Sequence, residues 1–344
     1  MTSDGTQPAR APNIRDVARL AGVSYQTVSR VLNNSPSIRP ATKQRVLEVI
    51  DEVGYRPNQA ARALVTAKSQ TIGVLIATQT GGYGAQTMLY AVELAAREAG
   101  YALSITTSAS DYESVRAALD QLVDQSVDAV VVVAPQVRVF DAIAAMSLRV
   151  PFVTLDSTRR DMGHSVAVDQ FAGARLATRH LMDLGHQSIL HLAGPQDWIE
   201  AEARMQGYLL ELTDSDFPVI PPILGDWTAD FGYRAGRELV QRRRDFTAVF
   251  ASNDLMALGL LHAFAEAGLS VPGDVSVIGF DDIPEAAHFW PPLTTVQQDF
   301  GAVGRRAVAL VLAELRGEPL PEIEPVAPCL VERASTATPV RKRV

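Results

Sequence analysis

The chain has 344 residues, of which 47% are hydrophobic and 20% charged, and its net charge is -8. The length predicts two or three domains, and the composition is typical of soluble globular proteins. Cys329 is the only cysteine, which excludes an intrachain disulfide and a cysteine metal cluster. No run approaches a transmembrane length, and the polar N-terminus lacks a signal peptide's apolar core, so we expect a cytoplasmic protein.

The charge is unevenly distributed. Residues 1–70 hold ten Lys and Arg against five Asp and Glu, a net charge of +5, whereas the remainder holds 21 basic and 34 acidic residues, a net charge of -13. This split predicts that only the N-terminal part, the head, contacts a polyanion, although a chance fluctuation is the alternative.

After a tail at 1–11 that we expect to be disordered, two short helices are predicted. The first covers residues 14–21 with Asn13 as its cap, and Gly22 stands where a left-handed residue is needed. Ser24 caps the second helix, whose apolar face consists of Val28, Val31 and Leu32. This pattern is typical of a helix-turn-helix, although a surface helical hairpin also fits it.

The second helix carries polar side chains on its other face. These are Tyr25, Gln26, Ser29 and Arg30. Gln suits the edge of adenine, Arg suits guanine, and hydroxyls suit phosphate oxygens. The sequence therefore predicts that this helix reads DNA.

A third helix is predicted from Pro40 to Val53, ended by Gly54. We assign residues 12–56 to a helix-turn-helix domain and 57–70 to a hinge helix and linker. The hinge helix, capped by Asn58 and ending near Val65, is too short to be stable alone in water. It is therefore expected to order only with a partner.

Residues 71–344 alternate strand-like and helical runs. The strand-like runs are 71–77, 102–106, 129–134, 151–156, 165–169, 188–193, 248–251, 275–280 and 294–297. The helical runs include 86–99, 114–125, 173–184, 204–212, 254–267 and 300–315. Val- and Ile-rich runs without alternation predict parallel strands buried on both faces. We expect an α/β body of two doubly wound lobes with a seam near residue 160.

Several short motifs follow one another along the chain. In the head and linker they are Ile14-Arg15-Asp16-Val17-Ala18, Ala21-Gly22-Val23-Ser24, Thr27-Val28-Ser29-Arg30-Val31-Leu32-Asn33, Gly54-Tyr55-Arg56-Pro57-Asn58 and Ala61-Arg62-Ala63-Leu64. In the body they are Ile72-Gly73-Val74, Leu184-Gly185-His186, Ala251-Ser252-Asn253-Asp254, Gly279-Phe280-Asp281-Asp282 and Pro292-Leu293-Thr294-Thr295-Val296. With these motifs the whole chain resembles the LacI/GalR family of bacterial transcription repressors.

The resemblance implies a fold and a DNA site. The fold is a small all-α helix-turn-helix head joined by a hinge helix to a two-lobed, periplasmic-binding-protein-like body, with residues 300–315 returning to the first lobe. The implied DNA-binding residues are Asn13, Ser24, Tyr25, Gln26, Thr27, Ser29, Arg30, Asn33, Tyr55, Asn58, Ala61 and Leu64. Leu64 matches the leucine that this family wedges between base pairs of the minor groove; an ordinary packing role is the alternative.

The resemblance also implies an effector site between the lobes. The polar candidates are Asp156, Arg204, Asn253, Asp281 and Gln298, and the aromatic candidates are Tyr83 and Trp227. The polar residues follow strand-like runs or begin helices, where open α/β sheets bind ligands. A helix cap or a surface ion pair is the common alternative for each, and for Asn253 a cap is as good an interpretation as a ligand contact.

We therefore expect a homodimeric repressor of a near-palindromic operator, controlled by a small sugar or glycoside, without cofactor or metal. A nucleobase corepressor fits the polar set less well. The turn Gly81-Gly82-Tyr83-Gly84 departs from the family pattern and leaves the first lobe's contribution open, and the C-terminus has no leucine heptads for tetramers. An enzyme and a solute-binding protein are the alternatives. The sequence has no phosphate loop or nucleophile motif to support an enzyme, and no signal peptide to support a solute-binding protein.

Overall fold

The computed structural model describes residues 12–32, 35–56, 68–77, 83–134, 136–144, 150–155, 164–242, 246–322 and 324–340. The chain divides into two compact units, the head Met1–Ser69 and the body Gln70–Val344. Within the described ranges, no helix combines the length and apolarity needed to cross a membrane.

The head contains the helices α1 (Ile14–Leu20), α2 (Tyr25–Leu32) and α3 (Pro40–Val53). Asn13 and Asp16 cap α1 reciprocally, and Gly22 adopts φ 64° in the turn that follows, a conformation that costs glycine little. The three helices share one small core of buried side chains: Val17, Ala18, Ala21, Val28, Val31 and Val46. Burying one valine contributes about 1.5–3 kcal/mol, and only six side chains form this core. A unit with so small a core is only marginally stable.

Lobe 1 of the body is a parallel sheet with helices between its strands. Its elements are β1 (Thr71–Ala77), α4 (Tyr83–Glu98), β2 (Ala102–Ser108), α5 (Tyr112–Asp124), β3 (Ala129–Val133), α6 (Val137–Ala144), β4 (Phe152–Thr154) and β5 (His164–Ser165). The strand order is β2-β1-β3-β4-β5, and Val74 lies opposite Val131 in the central pair. β3 is buried along its whole length, as expected for a sheet covered on both faces.

Lobe 2 repeats this architecture. Its elements are α7 (Gln170–Asp183), β6 (Ile189–Ala193), α8 (Ile199–Asp214), β7 (Ile223–Leu224), α9 (Ala229–Arg242), β8 (Ala248–Ala251), α10 (Asp254–Glu266), β9 (Ser276–Ile278) and a 3₁₀ turn, Pro284–His288. The parallel sheet has the order β7-β6-β8-β9. The carboxyl ends of β6 and β8 lead directly into the loops that carry the site described below.

Three segments connect the lobes. The first leads from β5 into α7, and the other two are β10 (Thr295–Gln297) and β11 (Cys329–Val331), which pair antiparallel. After β10, α11 (Phe300–Arg316) returns to lobe 1, where Val303 and Ala307 lie in one core with Ile72. The residues after β11 return to lobe 2, where Ser335 accepts a hydrogen bond from the Val277 amide at 2.9 Å.

Two helices of the body, α6 and α9, are not among the helical runs named from the sequence, and a third begins earlier than predicted. α6 is rich in β-branched residues, which favour strands in short segments. α9 contains Gly232, which lowers helix propensity, but a Cβ there would lie 2.1 Å from the Met256 carbonyl oxygen on α10. α8 begins at Ile199 rather than at Arg204. Tertiary packing decides where these helices form, and a local sequence pattern does not contain that information.

Candidate functional site

The polar face of α2 is exposed and supported from behind. Tyr25 is 56% exposed, Gln26 and Arg30 are exposed, and Val28 and Val31 are buried in the head core. Among the described residues, the side chains of Gln26 and Arg30 have no hydrogen-bond or ion-pair partner. The helix therefore presents an amide and a guanidinium with free bonding capacity to an external ligand.

The neighbouring candidates orient the helices. Ser24 accepts a hydrogen bond from the Thr27 amide at 3.1 Å, and Asn13 accepts one from the Arg15 amide at 2.9 Å. Ser29 is half-buried, and Tyr55 packs against the head core, where burial raises the pKa of its phenol. The candidates Asn33, Asn58, Ala61, Leu64 and Asp156 lie outside the described residues, and their roles stay predictions.

A cavity of about 350 Å³ lies between the two lobes of the body. Small-molecule pockets have volumes of roughly 300–1,000 Å³. All described effector candidates line this cavity: Tyr83, Arg204, Trp227, Asn253, Asp281 and Gln298. The structure thus brings together residues that are more than 200 positions apart in the sequence.

Four polar side chains of the cavity form a closed ring of hydrogen bonds and one ion pair. Arg204 Nε donates to Gln170 Oε1 at 2.8 Å, and Gln170 Nε2 donates to Gln298 Oε1 at 2.7 Å. Gln298 Nε2 donates to Asp281 Oδ1 at 2.7 Å, and that oxygen lies 3.4 Å from Arg204 Nη2. Arg204 also donates to the Ser252 carbonyl. The ring fixes each donor and acceptor before a ligand arrives.

Burial changes the acidity of the carboxyls in this region. It raises the pKa of Asp281 to about 6, although the charge of Arg204 opposes the shift. Burial and the charge of Asp281 raise the pKa of Asp254 to about 8. Asp254 accepts hydrogen bonds from Thr295 Oγ1 at 2.6 Å and from the Ile283 amide at 2.9 Å, which identifies it as a structural support of the loop carrying Asp281.

Aromatic rings enclose the guanidinium of Arg204. Its Cζ atom lies 3.9 Å from the Phe280 ring centroid and 5.5 Å from that of Trp227. Trp227 and Asp281 have φ values of 71° and 110°, a region that non-glycine residues rarely adopt. Such backbone strain concentrates at binding sites, where the surrounding structure holds it.

The side-chain amide of Asn253 makes two hydrogen bonds. Its Oδ1 accepts a hydrogen bond from the Met256 amide at 2.9 Å and so caps α10, and its Nδ2 donates to the Trp227 carbonyl at 3.0 Å. The capping alternative is therefore correct, and the cap also positions Trp227. One amide hydrogen of Asn253 is still available to a ligand.

The sequence-based prediction missed Gln170, Trp198 and Phe280. Trp198 follows β6 by five residues, at the same sheet edge that suggested the other candidates, so a signal was present. Gln170 follows the strand-like run 165–169 and so had the same positional signal, but the prediction did not single it out. Within the described part of the chain, no group of His, Cys, Asp and Glu is placed to hold a metal ion.

The two lobes also meet at one side of the cavity through residues 197–199, which we call the docking segment. Gln136 of lobe 1 pairs with the Trp198 backbone and donates to Asp197 Oδ2 at 3.2 Å. Arg138 lies 3.5 Å from the same oxygen, and Ile199 is buried in the apolar cluster formed by α5 and α6. The docking segment thus binds lobe 2 to lobe 1 away from the connecting strands.

A helix-turn-helix head and a two-lobed body with a buried polar cavity define a DNA-binding regulator with a periplasmic-binding-protein-like domain. Residues 13–58 match the bacterial regulatory proteins of the lacI family, and residues 178–336 match the periplasmic binding protein-like domain. The transcriptional regulator GalR of Escherichia coli is 37% identical over 95% of this chain and 96% of its own. The chain therefore belongs to the LacI family of transcription regulators.

Solved structures agree with this assignment. A crystal structure of the lac repressor dimer bound to operator and the anti-inducer ONPF has a TM-score of 0.85, with 31% identity over 95% of this chain and all of that one. A complex of the regulator CelR with cellobiose has a TM-score of 0.68, with 31% identity over 94% of this chain and 99% of that one. The α/β fold with its helical head, expected from the sequence, is confirmed.

Proposed function

We propose that this chain is a homodimeric repressor whose affinity for a near-palindromic operator is set by a small sugar or glycoside bound between the lobes of its body. The observation that carries the proposal is the bonded ring of Arg204, Gln170, Gln298 and Asp281 beside Trp227. Carboxylate oxygens accept from sugar hydroxyls, and a guanidinium donates to them. The indole face covers the apolar face of a sugar ring.

The ring also links the ligand to the motion of the lobes. Gln170 follows the first connecting segment and Gln298 follows β10, so both lie where the chain passes between lobes. A hydroxyl that takes over a bond of Asp281 or Arg204 changes the bonds that hold these segments. In the proposed mechanism the ligand binds one body conformation better, shifts the population towards it and loosens the hold on DNA.

The described relatives support both halves of the proposal. The lac repressor structure holds an operator and an anti-inducer, and the CelR structure holds cellobiose. We place the protein in the cytoplasm with its DNA. We assign it no reaction, because Asp281, one of three carboxyl residues lining the cavity, is paired with Arg204 and Gln298. Such pairing suits recognition better than proton transfer.

The test combines a sugar panel with DNA binding. Intrinsic tryptophan fluorescence serves as a readout, because two of the three tryptophans line the cavity. Operator duplexes are selected from a random library with the protein itself. Sugars that change the fluorescence should also weaken binding to the selected duplex.

The variant Asp281→Ala should lose the sugar response and keep operator binding, because water cannot replace a paired carboxylate in a closed cavity. Asp120→Ala, at an exposed position of α5, is the control and should behave as wild type. Unchanged sugar affinity of Asp281→Ala in calorimetry would contradict the proposed site.

A further inference from the structure

Two tryptophans form a corner on the lobe 2 wall of the cavity. The ring centroids of Trp198 and Trp227 are 5.6 Å apart, and the ring planes meet at 62°. A single flat sugar ring can stack on one of these faces but not on both. A ligand that uses both tryptophans needs two groups joined by a rotatable bond.

The two tryptophans lie at different distances from the polar ring. The Trp227 ring centroid is 5.5 Å from Cζ of Arg204, and Trp198 packs against Trp227; among the described residues, Arg204 makes a cation–π contact with Trp227 and none with Trp198. A sugar whose hydroxyls bind Arg204 and Asp281 therefore reaches Trp227 first. The space beside Trp198 is left for whatever is attached to that sugar.

The wall of lobe 1 favours an apolar surface on the ligand. The described lobe 1 residues Met88, Val133, Leu155 and Val166 line the cavity, and Tyr83 reaches across to pack against the lobe 2 core. Hydroxyls facing these side chains would lose hydrogen bonds to water without replacement. A ligand that turns few hydroxyls towards this wall avoids that loss.

Trp198 also belongs to the docking segment. Its backbone pairs with Gln136, and its neighbours Asp197 and Ile199 contact lobe 1 on either side of it. A group that stacks on Trp198 therefore lies against the segment that joins the lobes.

We propose that the cavity takes a two-unit glycoside, with one sugar at Arg204 and Asp281 and a second ring against Trp198. Trp198 is then the residue that distinguishes glycosides with a second ring from single sugars. This inference rests on the proposed sugar response and adds the size and shape of the ligand.

The experiment compares matched ligand pairs on the full-length protein. Each pair is a methyl glycoside and the phenyl glycoside or disaccharide with the same first sugar, in the glucose and galactose series. Calorimetry should show that the two-ring member binds wild type more tightly. Trp198→Ala should remove about tenfold of that preference, the size expected for one aromatic contact, and leave methyl glycoside affinity nearly unchanged.

Controls separate stacking from folding. Trp198→Phe keeps an aromatic face and should retain most of the preference, whereas Trp198→Leu keeps bulk without it and replaces Trp198→Ala if that variant fails to fold. Trp290→Ala removes a tryptophan that is 92% exposed and outside the cavity, and should behave as wild type.

Each outcome has a distinct meaning. Equal loss of both ligands in Trp198→Ala, or tighter binding of the methyl glycosides to wild type, would overturn the two-unit inference while leaving the sugar response intact. Binding of neither member of any pair would overturn the inference, and a lack of response to every member of the sugar panel as well would overturn the proposed function.

Discussion

The head and the body present their candidate ligand residues in opposite ways. On α2, Gln26 and Arg30 are exposed, and only the helix beneath them is fixed by packing. In the body, Arg204 and Gln170 are each only 5% exposed and are bonded to one another. The DNA face therefore gains bonds on binding, whereas the body must exchange bonds it already has. Removing an arginine should therefore change the free energy of unfolding little on α2 and strongly in the body.

The largest effect should come from salt acting on the head alone. If a dimer neutralises about six to ten phosphates, operator affinity should fall about 10³- to 10⁵-fold between 50 and 200 mM salt. The basis is the net charge of +5 on residues 1–70. Filter binding or anisotropy titrations measure it. A fragment starting at Thr71 that still binds the operator would overturn the division of roles.

A matched pair of arginine variants tests the contrast directly. Arg204→Met leaves the buried carboxylate of Asp281 without its cation and should lower the free energy of unfolding of the body by about 3–5 kcal/mol. Arg30→Ala should change stability by less than about 0.5 kcal/mol and weaken operator binding. Urea denaturation with both variants decides the point. Similar destabilisation by the two would remove the distinction.

A further prediction concerns Leu64 of the predicted hinge helix, which lies outside the described residues. Leu64→Ala should lower operator affinity by a few kcal/mol, because the wedge that fills an opened base step is lost. Binding to random duplexes should hardly change, since phosphate contacts persist. The effect should be largest for operators with a central C–G step. Equal losses on operator and random DNA at one salt concentration would make Leu64 an ordinary packing residue.

The smallest effect is a pH dependence confined to the body. The pKa of Asp281 is raised to about 6, so sugar affinity should fall up to about tenfold per pH unit below that value as the carboxylate is protonated. Stability changes in the other direction: because the folded state holds this proton more tightly than the unfolded chain, this group's contribution decreases as pH rises from about 4 to 6. Asp281→Asn should flatten the affinity profile in calorimetry. In urea denaturation it should remove only part of the stability slope, because the raised pKa of Asp254, about 8, supplies the rest.

The candidate site was predictable where local position and family pattern agreed. Arg204 and Asp281 carry charge at helix or strand ends, which the sequence displays. Gln170 also follows a strand-like run, but its role depends on a bond to Gln298, 128 positions away, which no local pattern displays. α9 was not among the named helical runs for a related reason. Gly232 weakens the helical pattern, and only the close approach of α10 explains why a glycine stands there. Long-range contacts decided what sequence patterns left open.

The return of α11 to lobe 1 has a consequence for synthesis on the ribosome. Lobe 1's strands are complete by Ser165, but the core they share with Val303 and Ala307 needs a helix that ends at Arg316. At about 5–20 residues per second, the end of that helix follows roughly 8–30 s later. Lobe 2 obtains its own sheet and helices within this interval. During this interval α4 covers part of that apolar face, and the part that α11 will cover stays open to solvent.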